Sequence, residues 1–220
     1  MKIQKLSKHN LAEIIDLQSE VGRNLSDQSL YYPLLPEEAM DMLNNKGFSL
    51  GIFNLGNRLI AYAAVRFPGE DPDNLGIDSL EKGELARVAH IEAGLVHPDF
   101  RGLGLQKLLY REAINLTRQT GKFRYLYSTV ACHNYPALAN SLDLGLMIAD
   151  LKIKYSGHLR YVLFQDWEQP VFVDRKAAIK VDSGDREQQK ALLEDGCLGF
   201  KIEIYQTNIL VHFSRLINFI

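Results

Sequence analysis

Cysteine is nearly absent. Cys132 and Cys197 are the two in 220 residues, which makes no disulfide framework and no metal-ligand spacing; two reduced thiols and no bound metal are expected. No apolar run approaches the roughly 18 residues of a membrane span. The opening residues, MKIQKLSKHN, lack the apolar core of a secretory signal. A surplus of positive charge is missing too. The formal net charge is -2, so no overall field favours nucleic acid or anionic lipid. These absences argue against secreted disulfide-rich, membrane-spanning and nucleic-acid-binding classes, and predict a cytoplasmic protein. What is present is an ordinary mix, 46% apolar and 24% charged, enough to build a sizeable core.

Periodicity predicts a short strand at Lys2–Leu6 and a helix, capped by Ser7 or Asn10, running to about Val21 with Leu11, Ile14, Ile15 and Leu17 near helical spacing. An irregular stretch, LSDQSLYYPLLP, carries Tyr31 and Tyr32. Pro36 suits a first helical position, with Glu37 and Glu38 in the favourable first turn. Phe48–Asn54 and Arg58–Arg66 read as a hairpin turning at Gly56-Asn57. A loop rich in Pro, Gly and Asp follows, from Phe67 to Arg87. Val88–Val96 reads as a strand, and Leu103–Thr120 as a helix with Leu105, Leu108, Leu109, Ala113 and Leu116 as its buried stripe, ended by Gly121. Phe123–Val130 is a strand. Asn134–Leu144 is a short helix stopped by Gly145. Leu146–Tyr155 and His158–Gln165 are strands joined at Ser156-Gly157. The order, β-α-α-β-β-β-α-β-α-β-β, is that of a mixed α/β domain over residues 1–166. Residues 167–220 form an α+β extension: a strand at Ala177–Val181, a helix opened by Asp185-x-x-Gln188, and strands at Lys201–Tyr205 and Ile209–Phe213. Three short strands and a helix bury little alone, so the extension is expected to dock on the main sheet or pair across a homodimer.

The stretch from Val96 to Ile114, VHPDFRGLGLQKLLYREAI, carries the chemistry. A helix N-terminus has four N–H groups without intrahelical acceptors and a partial positive charge, which together bind anions. Glycine lets a backbone approach a ligand closely because no Cβ intervenes. Strand, Pro98, Arg101, Gly102, Gly104 and helix in that order read as a pyrophosphate cradle or as a glycine-rich turn without a ligand. It is not the dinucleotide fingerprint, which needs a third glycine where Lys107 stands, and the Gly-rich loop ending in Gly-Lys-Ser/Thr is absent.

The same stretch resembles motif A of the GCN5-related N-acetyltransferases (GNAT), written [Q/R]-x-x-G-x-[G/A] after a strand ending in Val-x-Pro. Arg101 and Gly104 match; Gln106 stands where Gly or Ala is usual. Downstream, Asn134-Tyr-Pro-Ala-Leu-Ala-Asn-Ser-Leu-Asp-Leu-Gly-Leu resembles motif B, with Asn134, Ala137 and Gly145 matching and Leu146 replacing a Phe. The resemblance spans roughly Met1 to Gln165. It implies a GNAT-like mixed sheet with two splayed central parallel strands, here Val88–Val96 and Phe123–Val130, and helices on both faces. It implies acetyl-CoA as cofactor. The pantetheine arm would pair with backbone near a bulge at Leu95 and Val96. The pyrophosphate would rest on the amides of Arg101, Gly102, Leu103, Gly104, Leu105 and Gln106, and Asn134 would touch the cofactor arm.

The implied reaction is direct attack of an amine on the thioester. The amine must be neutral, so a general base helps; the family's usual oxyanion donor is a backbone N–H near Val96. In family members the base often lies on the strand before motif A, and counting back from Arg101 reaches Glu92 and His90, which strand alternation puts on one face. Where many members carry a general-acid Tyr in motif B, this chain has Ser141, a shorter and weaker acid; the role is then unfilled, or filled by Tyr135 or Tyr155 from elsewhere, or the thiolate leaves unaided.

A calcium-loop spacing is not met in the acidic loop, because Leu75 and Lys82 stand where ligands are required. Its Glu70, Asp71, Asp73, Asp78 and Glu81 would attract a cationic amine or simply be solvated. His97, His133, His9, His158 and His212 read as structural or exposed, Trp167 as packing, and Tyr31 and Tyr32 as packing or an acceptor wall. The first reading is therefore an N-acetyltransferase of a small-molecule or peptide amine. The alternatives are a non-catalytic acyl-CoA-binding or sensing module and a nucleotide-binding protein.

Overall fold

Alternating side chains turn the first part of the chain into an antiparallel meander. In the computed structural model, which describes residues 2–155, 157–206 and 208–217, β1 (Ile3–Lys5), β2 (Gly47–Phe53), β3 (Leu59–Arg66) and β4 (Val88–Val96) lie in that order. The β2–β3 turn uses Asn57 at φ 58, one of the few side chains that tolerates the left-handed region, and Asn54 Oδ1 accepts the Arg58 amide at 2.9 Å. These strands belong to the first of two compact units, Met1–Arg124 and Tyr125–Ile220.

Seven of the eight residues of β3 are buried, because helices cover both faces of this sheet. On one face, Ile14, Leu17 and Val21 of α1 (Leu11–Arg23) and Ala39 and Met42 of α2 (Pro36–Leu43) form a core with Tyr62, Ala64, Ala93 and Leu95. Pro36 opens α2, and Glu38 reaches back to accept the Leu35 amide at 2.7 Å, satisfying a donor that the helix start leaves over. The connection between α1 and α2 is pinned by the buried Gln18, whose Oε1 accepts the Leu34 amide (2.9 Å) and the Tyr31 hydroxyl, and whose Nε2 donates to the Leu34 carbonyl (3.2 Å).

On the other face lies α3 (Leu105–Gln119). Its buried stripe is Leu105, Leu109, Tyr110, Ala113, Ile114 and Thr117, whereas Leu108, expected in the stripe, is 44% exposed. At about 100° per residue Leu108 falls on the far side of the helix from the centre of that stripe. Tyr110 replaces it, lying flat on Gly94, where an added Cβ would stand 2.2 Å from the phenol oxygen.

The Phe67–Arg87 stretch is a built structure. The buried Asn74 donates to the carbonyls of Gly69 (2.6 Å) and Leu85 (3.2 Å) and accepts the Gly76 amide (2.9 Å). Phe67 stacks on Phe123 with ring centres 4.3 Å apart. The register of β4 against β3 shifts at one place: Ala93 faces Ala64, Ile91 faces Val65, and Glu92 is the extra residue. The bulge therefore sits at Glu92. Leu95 and Val96, where it was expected, pair regularly with Tyr62 and Ala61.

In the second unit β5 (Tyr125–Ala131), β7 (His158–Asp166), β6 (Met147–Lys154), β9 (Cys197–Tyr205), β10 (Asn208–Arg215) and β8 (Ile179–Asp182) are neighbours in that order, every pair antiparallel. Of the turn expected between β6 and β7, Ser156 lies outside the described residues and Gly157 has φ 110. The helices are α4 (Tyr135–Asp143) and α5 (Arg186–Glu194), the latter capped by Asp185 Oδ1 accepting the Gln188 amide at 3.0 Å. Strand β9 meets β6 at Gly199 opposite Ile148, where a Cβ would come within 2.8 Å of the isoleucine side chain. Among the described residues no helix is long and apolar enough to cross a membrane.

Candidate active site

The turn into α3 is shaped by backbone geometry. After β4, residues Pro98–Phe100 form a single 3-10 turn. Gly102 and Gly104 follow at φ 78 and φ 71, the left-handed region where glycine alone is unstrained. A Cβ at either would meet nothing within 4 Å, so conformation, not crowding, demands glycine, and the space beside the backbone is open. Arg101, Gly102, Leu103 and Gly104 are all exposed. The first bond of α3 runs from the Leu108 amide to the Gly104 carbonyl at 3.0 Å, so the helix opens directly onto this turn with its positive end. Gln106, at the position where the resemblance expects a small residue, is turned away: its Nε2 donates to the Gly94 carbonyl of β4 at 3.0 Å. A diphosphate fits here, since the backbone is open, the N-terminal dipole has the right sign, and Gln106, which stands where a small residue is usual, is tied elsewhere.

Glu92 and His90 do share one face, the face of Tyr62 and the two N-terminal helices. His90 is 2% exposed. Its Nε2 accepts the Leu75 amide at 3.1 Å, which in the uncharged ring puts the proton on Nδ1. Nδ1 stands 3.6 Å from Glu92 Oε2. Burial raises the Glu92 pKa, but the neighbouring His90, joined by the Arg66 guanidinium, more than offsets it, and the carboxyl ends below its ordinary value. Arg66, which faces His90 across the strands, also pairs with Asp71 at 2.6 Å. The backbone amide of Asp73, then the Arg66 charge, hold Asp71 below the usual carboxylate range.

Beside this pair lies a phenol. Tyr62 is fully buried, and its hydroxyl, like that of Ser49 on β2, has no hydrogen-bond partner among the described residues. Burial pushes the Tyr62 pKa up to about 12, with the charge of Glu92 adding to it. Burial raises Tyr31 as well, with the charge of Tyr62 adding to it. Nothing in residue spacing pointed to Tyr62, Ser49, Arg66 or Leu75. Only the Asn74 turn, which presents the Leu75 amide, had a local signal, an Asx turn onto Gly76.

In the second unit Asn134 caps α4, its Oδ1 accepting the Ala137 amide at 3.3 Å. Ser141 is 1% exposed and its hydroxyl donates back to the Ala137 carbonyl at 3.0 Å, a bond internal to the helix. The Tyr135 hydroxyl meets Ser183 Oγ at 3.1 Å. Tyr155, at φ 50, meets Thr129 Oγ1 at 2.9 Å, with the Arg160 guanidinium over its ring at 5.4 Å. Among the described residues no group of three or more His, Cys, Asp or Glu could hold a metal ion.

The sequence profile described as the Acetyltransferase (GNAT) family matches residues 11–140. No curated protein matches the chain by sequence. Similar solved structures include an acetyltransferase of the GNAT family from Streptococcus pneumoniae, at 17% identity over 75% of this chain and 98% of that chain, with a TM-score of 0.57. Another is yncA, a proposed acetyltransferase from Salmonella typhimurium with its cofactor acetyl-CoA, at 14% identity over 80% and 98%, TM-score 0.57. A third is the ribosomal-protein-S18-alanine N-acetyltransferase from Escherichia coli, at 14% identity over 74% and 90%, TM-score 0.51. At these identities the likeness is one of fold.

Proposed function

The chain belongs to the GNAT acetyltransferase family, and from that premise we propose that it is an N-acetyltransferase moving the acetyl group of acetyl-CoA onto a primary amine. It is an acyltransferase, and acetyl-CoA is its cosubstrate. When bound, acetyl-CoA supplies an activated thioester carbonyl.

In this reading the amides of Arg101–Gly104 and the first turn of α3 hold the diphosphate, with the Arg101 guanidinium as a further donor. Backbone groups of Leu95 and Val96 align the pantetheine arm, and an amide near Val96 donates to the carbonyl oxygen as charge grows there. Glu92 takes the proton of the amine, directly or through water. His90 is a positioning residue: Nε2 is occupied by the Leu75 amide, and Nδ1–H is left to orient the carboxylate. Ser141 is given no proton-transfer role, because its hydroxyl is buried and spent within α4.

The observation that carries the reading is the Glu92 carboxyl, held at a strand bulge 3.6 Å from His90 Nδ1, in the same compact unit as the open Gly102–Gly104 turn. A carboxylate is a weak base, which favours an acceptor already partly neutral. An α-amino group, near 7.7–8.0, keeps a neutral fraction at about pH 7.5 that a lysine, near 10.4, does not. Proteins of similar structure include ribosomal-protein alanine N-acetyltransferases from Escherichia coli and Brucella melitensis, and the same class of acceptor, a peptide or protein N-terminus, is proposed here.

The test is free-thiol release from acetyl-CoA with three acceptor pools: peptides with a free α-amine and blocked lysines, N-terminally blocked lysine peptides, and polyamines. Release with the first pool, cut about 10²-fold in Glu92→Gln at unchanged CoA affinity, is expected. The second reading, a non-catalytic acyl-CoA-binding module, is favoured by the unavailable Ser141 hydroxyl; tight CoA binding with no release from any pool would select it.

A further inference from the structure

We propose that His97 is the positioning residue of the diphosphate turn, shaping it through Nδ1, while its buried Nε2–H lies beside Glu20 of helix α1 without a hydrogen bond to it. This rests on reading Arg101–Gly104 as the cofactor turn.

His97 sits between β4 and the turn and is 3% exposed. Its backbone is held at both ends of the residue, the amide donating to the Ile60 carbonyl at 2.8 Å and the carbonyl accepting the Phe100 amide at 2.9 Å. The ring stands edge-on to Phe100, with centres 5.7 Å apart. Its Nδ1 accepts the Asp99 amide at 3.2 Å. That bond satisfies a backbone donor of the Pro98–Phe100 turn, from which Arg101 and the two glycines depart, the Arg101 amide itself donating to the Pro98 carbonyl at 3.2 Å. It is the bond an Asn or Asp makes in an Asx turn, made here by an imidazole.

The second nitrogen has a different task. Because Nδ1 accepts, the uncharged ring carries its proton on Nε2. Nε2 is buried with no hydrogen-bond partner among the described residues. Glu20 Oε1 lies 3.9 Å from it, about 1 Å beyond a hydrogen bond. Glu20 is itself directed by Arg23 (3.2 Å) and Arg58 (3.6 Å), both on its other oxygen, which leaves Oε1 toward the histidine. The remaining charged group near the ring is Asp99, whose Oδ2 is 3.8 Å from Nδ1 and largely solvated. One imidazole thus divides its work: Nδ1 holds a backbone donor of the phosphate turn, and Nε2–H faces the Glu20 carboxylate of α1 at 3.9 Å, close enough for charge attraction but not for a hydrogen bond.

The division makes two substitutions unequal. Asn carries an acceptor where Nδ1 stands and nothing where Nε2 stands; Gln does the reverse. CoA affinity is measured by titration calorimetry and stability by thermal unfolding, with Gly104→Glu as the variant in which the cofactor turn itself is blocked. His97→Asn is expected to bind CoA within about 3-fold of the parent and to melt lower. His97→Gln is expected to bind at least 10-fold more weakly and to melt close to the parent. Equal losses of affinity in both, or parent-like binding in His97→Gln, would overturn the assignment. Nitrogen-15 spectra of the histidine rings in the parent protein test it without substitution: the Nε2–H tautomer is expected for His97, and Nδ1–H would sink it. A parent protein that binds no CoA, or a Gly104→Glu that binds it fully, rejects the cofactor turn and this proposal together. Parent binding with a failed Asn and Gln contrast rejects the His97 role alone.

Discussion

Glu92 shows how one inserted residue changes a side chain's chemistry. It is the extra residue of the β4 bulge, and its Oε2 stands 3.6 Å from His90 Nδ1. Its folded pKa lies below the ordinary value, so its contribution to stability is fully present above the unfolded-state pKa, about 4.3, and is lost as pH falls through the folded one. Denaturant unfolding of the parent should therefore weaken more between pH 6 and about pH 3 than that of Glu92→Gln; parallel curves would mean that the carboxylate is not held by its neighbours. The Tyr62 hydroxyl behaves oppositely, being buried and without a partner among the described residues. Tyr62→Phe should leave stability unchanged or raise it by up to about 1 kcal/mol. A loss larger than that in urea unfolding would show that the phenol is bonded after all. Both residues lie on a face whose alternation was legible in the sequence, but neither the bulge nor the phenol was.

Between elements, α3 packs closely on β4 at Gly94. Gly94 carries no positive φ; it is glycine because the Tyr110 ring occupies the place of a side chain, with ring carbons 2.3 and 2.5 Å from an added Cβ. Gly94→Ala should cost about 1–3 kcal/mol by overpacking, and adding Tyr110→Leu should recover most of it. A Gly94→Ala protein as stable as the parent would mean that α3 shifts without resistance. Gln106 reinforces the same junction through the Gly94 carbonyl. Its departure from the small residue usual in motif A thus has a packing reason, legible only once Gln106 is seen near the middle of the buried stripe of α3.

For the molecule, the question is what the residues after Asp166 contribute. Within the second unit Tyr161, fully buried on β7, donates to Gln189 Oε1 at 2.5 Å and accepts from Arg186, which also donates to the Cys132 carbonyl at 3.1 Å. Gln189 in turn donates to the Asp182 carbonyl at 2.8 Å. Deleting residues 167–220 removes Arg186 and Gln189, the partners of the Tyr161 hydroxyl and the Cys132 carbonyl, and exposes the β6 edge that β9 meets. The truncated chain is expected to aggregate or to lose its cooperative melting transition. A soluble 1–166 protein with the parent's melting temperature would show that the extension is dispensable.

Local chemistry was enough to determine much of this protein. The limits of β4, the proline start of α2, the Asp185 cap and the need for glycine at 102 and 104 follow from period, φ and capping, which act within a few residues. Tertiary structure alone decided the rest. That Leu75 occupies His90, that Ser141 turns its hydroxyl into its own helix, that Leu108 faces water while Tyr110 packs on Gly94, and that the register slips at Glu92 depend on which segments close against which. A residue's neighbours across a sheet or under a loop are set by register and packing, and one inserted residue reassigns them all without changing the composition or the period of the strand that carries it.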